Sequence, residues 1–177
     1  MDSRKSELRK NFRQLRTLHR PPRDWNHLLL VDEIATAHVV ASYRSYDDEP
    51  ITEIINQILI AEGKILLLPR IHDADGIEWV RWEGDQSQFS IRGKIEEPQG
   101  EVFSGVIDVM ILPALAIDHR GFRLGQGGGY YDRILASTQS WSIALINENE
   151  FLEEELPHEP HDQKVQAAAT PTRIVRF

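Results

Sequence analysis

The chain contains no cysteine. That excludes a disulfide framework, a thiol nucleophile and any cysteine-held zinc or iron–sulfur centre. Long apolar runs are missing as well. No stretch approaches the ~20 residues that span a bilayer, and the N-terminus has no signal-peptide core. Residues 1–20 are rich in Arg and Lys, as transit peptides are, but Asp2 and Glu7 count against that reading. An excess of positive charge is also lacking. Lys and Arg number 20 against 28 Asp and Glu, a net charge of −8, whereas a general nucleic-acid binder carries a basic face. A polyanionic ligand would meet a repulsive field, so its site must be made attractive by local cations and dipoles. What is present is an ordinary globular composition, 41% hydrophobic and 27% charged over 177 residues, enough for one sizeable core. No repeat, low-complexity stretch or linker divides it, so a single domain over residues 1–177 is expected.

Helical and strand signals alternate along the chain. Ser3 to His19 reads as an amphipathic helix with Leu8, Phe12, Leu15 and Leu18 on one face. Lys5, Arg9, Arg13, Arg16 and Arg20 form a cationic stripe on its other faces, most simply a solvated one, and Pro21-Pro22 ends it. A second helix is expected over Trp25 to Ala37, then a strand over His38 to Tyr43 and an acidic turn at Asp47-Asp48-Glu49. Ile51 to Glu62 reads as a helix burying Ile51, Ile54, Ile55, Ile58 and Leu59. Thr52 or Asp48 is its candidate cap, and Gly63 its stop. Ile65 to Pro69 and Val106 to Leu112 are short continuous apolar runs of the kind buried in parallel sheets. Ile77 to Trp82 alternates like an edge strand, with Gln86 to Arg92 as its expected partner and Ile95 to Gly100 as a loop. Trp141 to Ile146 and Thr172 to Phe177 complete the strands. The pattern is α/β, mainly parallel, with helices on both faces.

One stretch concentrates unusual chemistry. Five of the eleven glycines fall between Gly121 and Gly129, directly before the helical Tyr130-Tyr131-Asp132-Arg133-Ile134-Leu135. Glycine is placed where φ must be positive or where a ligand approaches the backbone. A glycine loop feeding a helix N-terminus presents unpaired N–H groups and a positive dipole end, which suit a phosphate. It is not a Walker A loop, since no Gly-Lys-Ser/Thr follows, and not a dinucleotide fingerprint, since the sixth position from Gly125 is Tyr130. Asp132, one turn into the helix, has the chemistry of a Mg²⁺ ligand beside phosphates; a first-turn Asp also simply complements the helix dipole. Arg123 and Arg133 flank the loop and can fork onto phosphate oxygens. His161-Asp162 is an isolated pair in a loop.

The run Gly121-Phe122-Arg123-Leu124-Gly125-Gln126-Gly127-Gly128-Gly129-Tyr130-Tyr131-Asp132-Arg133 resembles the signature of the 5-formyltetrahydrofolate cyclo-ligase family, also called methenyltetrahydrofolate synthetase. Lys5 to Arg9, Asp48-Glu49-Pro50-Ile51-Thr52, Leu68-Pro69-Arg70, Ile95-Glu96-Glu97-Pro98 and His161-Asp162 to Val165 resemble further family segments in the family's order. The likeness therefore runs over nearly the whole chain. Three places depart from it. Residues 21–37 are short for the family, Arg44 stands where an apolar residue is usual, and Lys94 where glycine is common.

The resemblance implies a three-layer α/β/α sandwich with a mainly parallel sheet, similar to the sugar-phosphate isomerase and CoA-transferase architecture. It implies ATP- and Mg²⁺-dependent conversion of 5-formyltetrahydrofolate to 5,10-methenyltetrahydrofolate, with release of ADP and phosphate. By the same resemblance Lys5, Arg9 and the loop Arg123, Leu124, Gly125, Gln126, Gly127, Gly128, Gly129, Tyr130 and Tyr131 bind ATP. Glu49 contacts the folate, with Gln126 to Tyr130 close to it. Asp132 and Asp162 hold Mg²⁺, and Arg123 and Tyr130 serve the chemistry. Trp79 and Trp82 are expected in core or edge-strand packing rather than on the pterin. The expected partners are a reduced folate and ATP, without nucleic acid or membrane, for a cytoplasmic monomer. Two rival readings stay open at this point: another enzyme of related architecture that does not hydrolyse ATP, and a non-catalytic folate- or nucleotide-binding module.

Overall fold

The computed structural model describes residues 3–72, 76–93 and 95–177; Asp2 and Lys94 lie outside them. The chain begins with helix α1 (Ser3–Arg16). A 3₁₀ turn (Asn26–Leu30) and a short helix α2 (Asp32–Thr36) follow, then strand β1 (Val39–Ala41), helix α3 (Glu53–Ala61) and the strands β2 (Ile65–His72), β3 (Gly76–Arg81), β4 (Phe89–Arg92) and β5 (Ile95–Pro98). The second half holds β6 (Val109–Pro113), β7 (Ala116–Asp118), β8 (Arg123–Leu124), helix α4 (Tyr130–Ser137), β9 (Trp141–Leu145), β10 (Phe151–Leu152), β11 (Ala167–Ala169) and β12 (Ile174–Arg176).

Seven strands form one sheet in the order β12-β11-β9-β6-β1-β2-β3. The five central strands are mutually parallel, and β3 and β12 close the two edges antiparallel. Burial on both faces explains the continuous apolar runs. In β6, Val109 and Ile111 belong to one core with the 3₁₀ turn, α2 and α3, while Met110 and Leu112 belong to the opposite core with α4. Two helical layers thus cover one mainly parallel sheet, a three-layer α/β/α architecture. A third cluster sits apart. There Phe12 of α1 packs on Leu115, Ala116, Leu124 and Leu156 beside the small sheet β10-β7-β8. Among the described residues no helix is long and apolar enough to cross a membrane.

Several local expectations are corrected. The stretch over Trp25 to Ala37 is not one helix, because Val31 is extended (φ −80°, ψ 120°) between the 3₁₀ turn and α2. Leu28, Val31 and Ile34 are buried at a spacing that imitates a helical face. Strand β4 pairs with β5 rather than with β3, so the expected loop over Ile95 to Gly100 is largely a strand. In α3 only Ile55 and Leu59 of the anticipated apolar face are buried, and Ile54 is exposed. Neither Thr52 nor Asp48 caps α3 through its side chain, since the Thr52 hydroxyl donates to the Tyr43 carbonyl at 2.6 Å. Helix α1 stops at Arg16, which leaves Leu18 exposed. Its cationic stripe is not simply solvated, because Lys5 and Arg16 are buried. Trp79 and Trp82 are buried in the two cores as expected.

This topology selects one crevice. From β1 the chain goes to β2 on one side, while β6, β9 and β11 run to the other, so the order reverses between β1 and β6. In open α/β sheets ligands sit beyond the carboxyl ends of the strands at such a switch point. The segment after β1 carries Glu49, and the end of β6 carries Pro113 and Ala114.

Candidate active site

A cavity of about 300 Å³ opens at that point. Its wall contains Lys5 and Arg9 from α1, Glu49 from the loop after β1, the whole run Arg123 to Asp132, and Asp162. Every site residue expected from the sequence therefore faces one space, although they are spread over more than 150 positions. The cavity also takes in Pro113, Ala114, Glu159 and His161, which the sequence reading did not assign to the site.

Helix α1 supplies the cations on a single face. Lys5, Arg9, Arg13 and Arg16 follow at intervals of four, four and three residues, the spacing of neighbours on a helix surface. Each braces a different part of the wall. Lys5 pairs with Asp162 and, at 3.3 Å, with Glu159. Arg9 donates from Nε to the Gly125 carbonyl at 2.9 Å. Arg13 donates to the side chain and carbonyl of Gln126. Arg16 forks onto Glu150 at 2.6 and 2.8 Å and also holds the Ala114 carbonyl. Arg16 and Glu150 escaped the sequence reading because their partners lie about a hundred residues away or more. The buried positions on an otherwise charged helix are the trace they leave.

The glycine loop leads into α4 through Gly129, whose φ of +65° at the N-cap suits a residue without Cβ. Gly125 is different. A Cβ there would meet no protein atom within 4 Å, so the space beside it is open to a ligand. Beyond the loop, Asp132 accepts from Arg123 Nη1 at 2.9 Å and from the backbone N–H of Gln163 at 3.0 Å. Asp162 accepts from Lys5 and from the Glu159 N–H. In each carboxylate these bonds fall on one oxygen, which leaves the second for a ligand. The buried Arg123 Nε has no hydrogen-bond partner among the described residues, a costly state for a charged donor unless a ligand oxygen completes it.

The charge states are uneven. Burial pushes the Glu49 carboxyl above its ordinary range, and the Tyr46 N–H, Arg16 and Gln126 only partly oppose this. Burial also raises the Tyr131 hydroxyl, with Glu49 adding to it. Asp162 feels burial upward, but Lys5 and the Glu159 N–H outweigh it and hold the carboxyl below the usual range. Two ion pairs, Lys5–Asp162 and Arg123–Asp132, thus stand beside a carboxylate that lacks a full counter-charge.

Asp132 and Asp162 suit a hard divalent cation: both are oxygen donors with a spare oxygen at the cavity wall, the type Mg²⁺ takes together with substrate phosphates. Glu159, His161 and Asp162 also bring one ligand atom each within 4.8 Å of one another.

The model of the 5-formyltetrahydrofolate cyclo-ligase family matches residues 2–171. The 5-formyltetrahydrofolate cyclo-ligase of Escherichia coli (strain K12) is 32% identical over 149 residues, covering 80% of this chain and 82% of that protein. The Mycolicibacterium smegmatis enzyme of the same name is 33% identical over 148 residues, covering 78% and 76%. Among solved structures, Aquifex aeolicus 5,10-methenyltetrahydrofolate synthetase superposes with a TM-score of 0.80 at 25% identity, covering 97% of this chain and 92% of that one.

Proposed function

The chain belongs to the 5-formyltetrahydrofolate cyclo-ligase family, and we propose that its cavity converts 5-formyltetrahydrofolate to 5,10-methenyltetrahydrofolate with consumption of ATP. The observation that carries this reading is the make-up of one cavity. Its wall joins Lys5 and Arg9 of α1, the glycine loop with Arg123, and the carboxylates Asp132 and Asp162 to Glu49 from the segment after β1.

In this reading Lys5, Arg9 and the loop Arg123 to Tyr131 take the ATP phosphates, and Asp132 with Asp162 would hold Mg²⁺. Bound there, Mg²⁺ supplies charge neutralisation at the phosphate oxygens. The two internal ion pairs support this assignment. Lys5 and Arg123 now neutralise Asp162 and Asp132. With phosphates and a divalent cation bound, Lys5 and Arg123 would pair with phosphate oxygens and Asp162 and Asp132 with the cation, so that no buried charge is left bare. The orphaned Arg123 Nε gains an acceptor in the same event.

Glu49 and residues Gln126 to Tyr130 take the folate. A buried carboxylate without a full counter-charge is a strong acceptor for the N–H groups of a pterin. In this reading Tyr130, the first residue of α4, orients the formyl group. The formyl oxygen is a poor leaving group until it is phosphorylated. The γ-phosphoryl group passes from ATP to that oxygen and ADP departs. The second folate nitrogen then bonds to the formyl carbon and gives up its N–H proton to the departing phosphate, as the C–O bond breaks and phosphate leaves with the oxygen. Such a sequence asks the protein for positioning and charge compensation more than for covalent chemistry, which accords with a cavity rich in Arg, Lys and backbone N–H groups.

The test is direct. Purified protein with 5-formyltetrahydrofolate is expected to develop the methenyl absorbance only when both ATP and Mg²⁺ are supplied. No product at saturating ATP would reject the proposal.

A further inference from the structure

The glycine loop is held from outside by a residue that does not line the cavity. Between β8 and α4 the carbonyls of Gly125 and Gln126 receive hydrogen bonds from α1 alone among the described residues: Arg9 holds the first, Arg13 the second. Arg13 also donates from Nε and Nη2 to Gln126 Oε1, at 2.9 and 2.8 Å. The guanidinium therefore clasps both the backbone and the side chain of one loop residue. A fork of this kind fixes direction as well as distance.

The clasp has a consequence for the far side of Gln126. With Oε1 committed to Arg13, the amide can present only its NH₂ group elsewhere. Gln126 shares the cavity wall with Glu49, and a donor suits a wall that carries a carboxylate. An amide turned the other way would offer that wall an oxygen. We infer that Arg13 is a positioning residue for the folate half of the site: it latches the glycine loop onto α1 and holds the Gln126 amide with its NH₂ group free for the wall shared with Glu49. Arg13 is exposed and does not line the cavity. It acts through Gln126, and the inference rests on the proposed placement of the folate at Glu49.

The experiment uses the parent protein and five variants. Arg13→Ala keeps a good helix former at an exposed position, so the fold is not at risk. It is expected to raise KM for 5-formyltetrahydrofolate about tenfold, the scale of one charge-assisted hydrogen bond, with kcat within about twofold of the parent. Arg13→Lys replaces a fork by a single point donor and is expected to recover part of the loss. Lys10→Ala removes an equal charge from the same helix at another exposed position and is expected to change nothing, which separates the latch from a general field effect. The double variant Arg13→Ala/Gln126→Ala is expected to be no worse than Gln126→Ala alone. An unaltered folate KM in Arg13→Ala, or additive losses in the double variant, overturns the inference. Hydrogen exchange at the amides of residues 125–129 gives a reading independent of turnover, with faster exchange expected in Arg13→Ala. If the parent protein forms no methenyl product, the proposed function fails. The latch itself is then judged on exchange, and unchanged exchange rejects it.

Discussion

Asp132 accepts a hydrogen bond from the backbone N–H of Gln163 at 3.0 Å. Gln163 directly follows Asp162, so this bond ties the first turn of α4 to the late loop and brings two carboxylates from distant parts of the chain to one wall. The Arg123 guanidinium completes the tie, donating from Nη1 to both Asp132 and the Gln163 carbonyl. Asp132→Asn keeps an oxygen for the Gln163 N–H, so the variant is expected to fold. It loses the charge that the proposed divalent cation needs. Turnover is expected to fall by ~10²-fold or more, the scale for removing one preorganised electrostatic group. Calorimetric titration with Mg²⁺ and ATP is expected to show weakened binding. Activity equal to the parent would reject the proposed metal role of Asp132.

The buried pair Arg16–Glu150 bears on stability. Both side chains are nearly inaccessible, and Glu150 also accepts from the backbone and side chain of Asn147. Glu150→Ala strands a buried guanidinium and removes a turn cap together. A loss of roughly 3–5 kcal/mol is expected, the usual effect of breaking a buried pair, read as a lower midpoint in urea unfolding. Removing both partners, as in Arg16→Met/Glu150→Leu, is expected to cost less than Glu150→Ala alone.

Glu49 presents the opposite case. Burial raises its carboxyl above the ordinary value. A group whose folded pKa lies above its unfolded one favours folding most when protonated, and that contribution is lost as pH rises through the two values. At neutral pH the ionised carboxylate therefore costs stability. Glu49→Gln is expected to raise Tm, by about 2–4 °C for each kcal/mol relieved in a protein of this size, while kcat/KM for the folate falls. A lowered Tm with intact folding would show that the carboxylate is already compensated.

Much of this architecture is legible in the sequence because it is local. The runs at Ile65 and Val109 are apolar on both faces, and the run from Gly121 to Arg133 is contiguous, so pattern and motif both announce themselves. Strands β7 and β11 do not. Ala116–Asp118 and the all-alanine Ala167–Ala169 are three residues each and exist as strands only because neighbours pair with them. Val106 and Ile107 extend the apolar run toward β6 yet stay outside it. There the Asp108 carboxylate accepts the N–H groups of His38 and Val39, both at 2.9 Å, and ends the regular pairing. In the site, Arg13, Arg16, Ala114 and Glu150 were hidden for one reason. Their roles arise from contacts across roughly a hundred residues or more, and no spacing along the chain encodes such a distance.

Asp118 yields a prediction in which pH is the variable. Its carboxylate is buried at the end of β7 and accepts from the backbone N–H groups of Arg120, Phe122 and Leu156 and from the Arg120 side chain. These bonds build the turn that delivers Arg123 to the cavity and fasten it to the segment around Leu156. Burial pushes the carboxyl up, but the Arg120 side chain and the three N–H donors outweigh it and hold it below the ordinary aspartate range. A depressed carboxyl contributes stability that is present above its unfolded pKa and is lost as pH falls toward the folded value. Urea midpoints of the parent are therefore expected to hold through neutral pH and to drop below about pH 4, where the unfolded carboxyl takes up its proton. Asp118→Asn lacks this proton uptake. Its midpoint is expected to lie below the parent's at pH 7 and to approach it as pH falls through that window. A gap between the two that stays constant from pH 7 to pH 3 would mean that the Asp118 charge contributes nothing to holding the Arg123 turn.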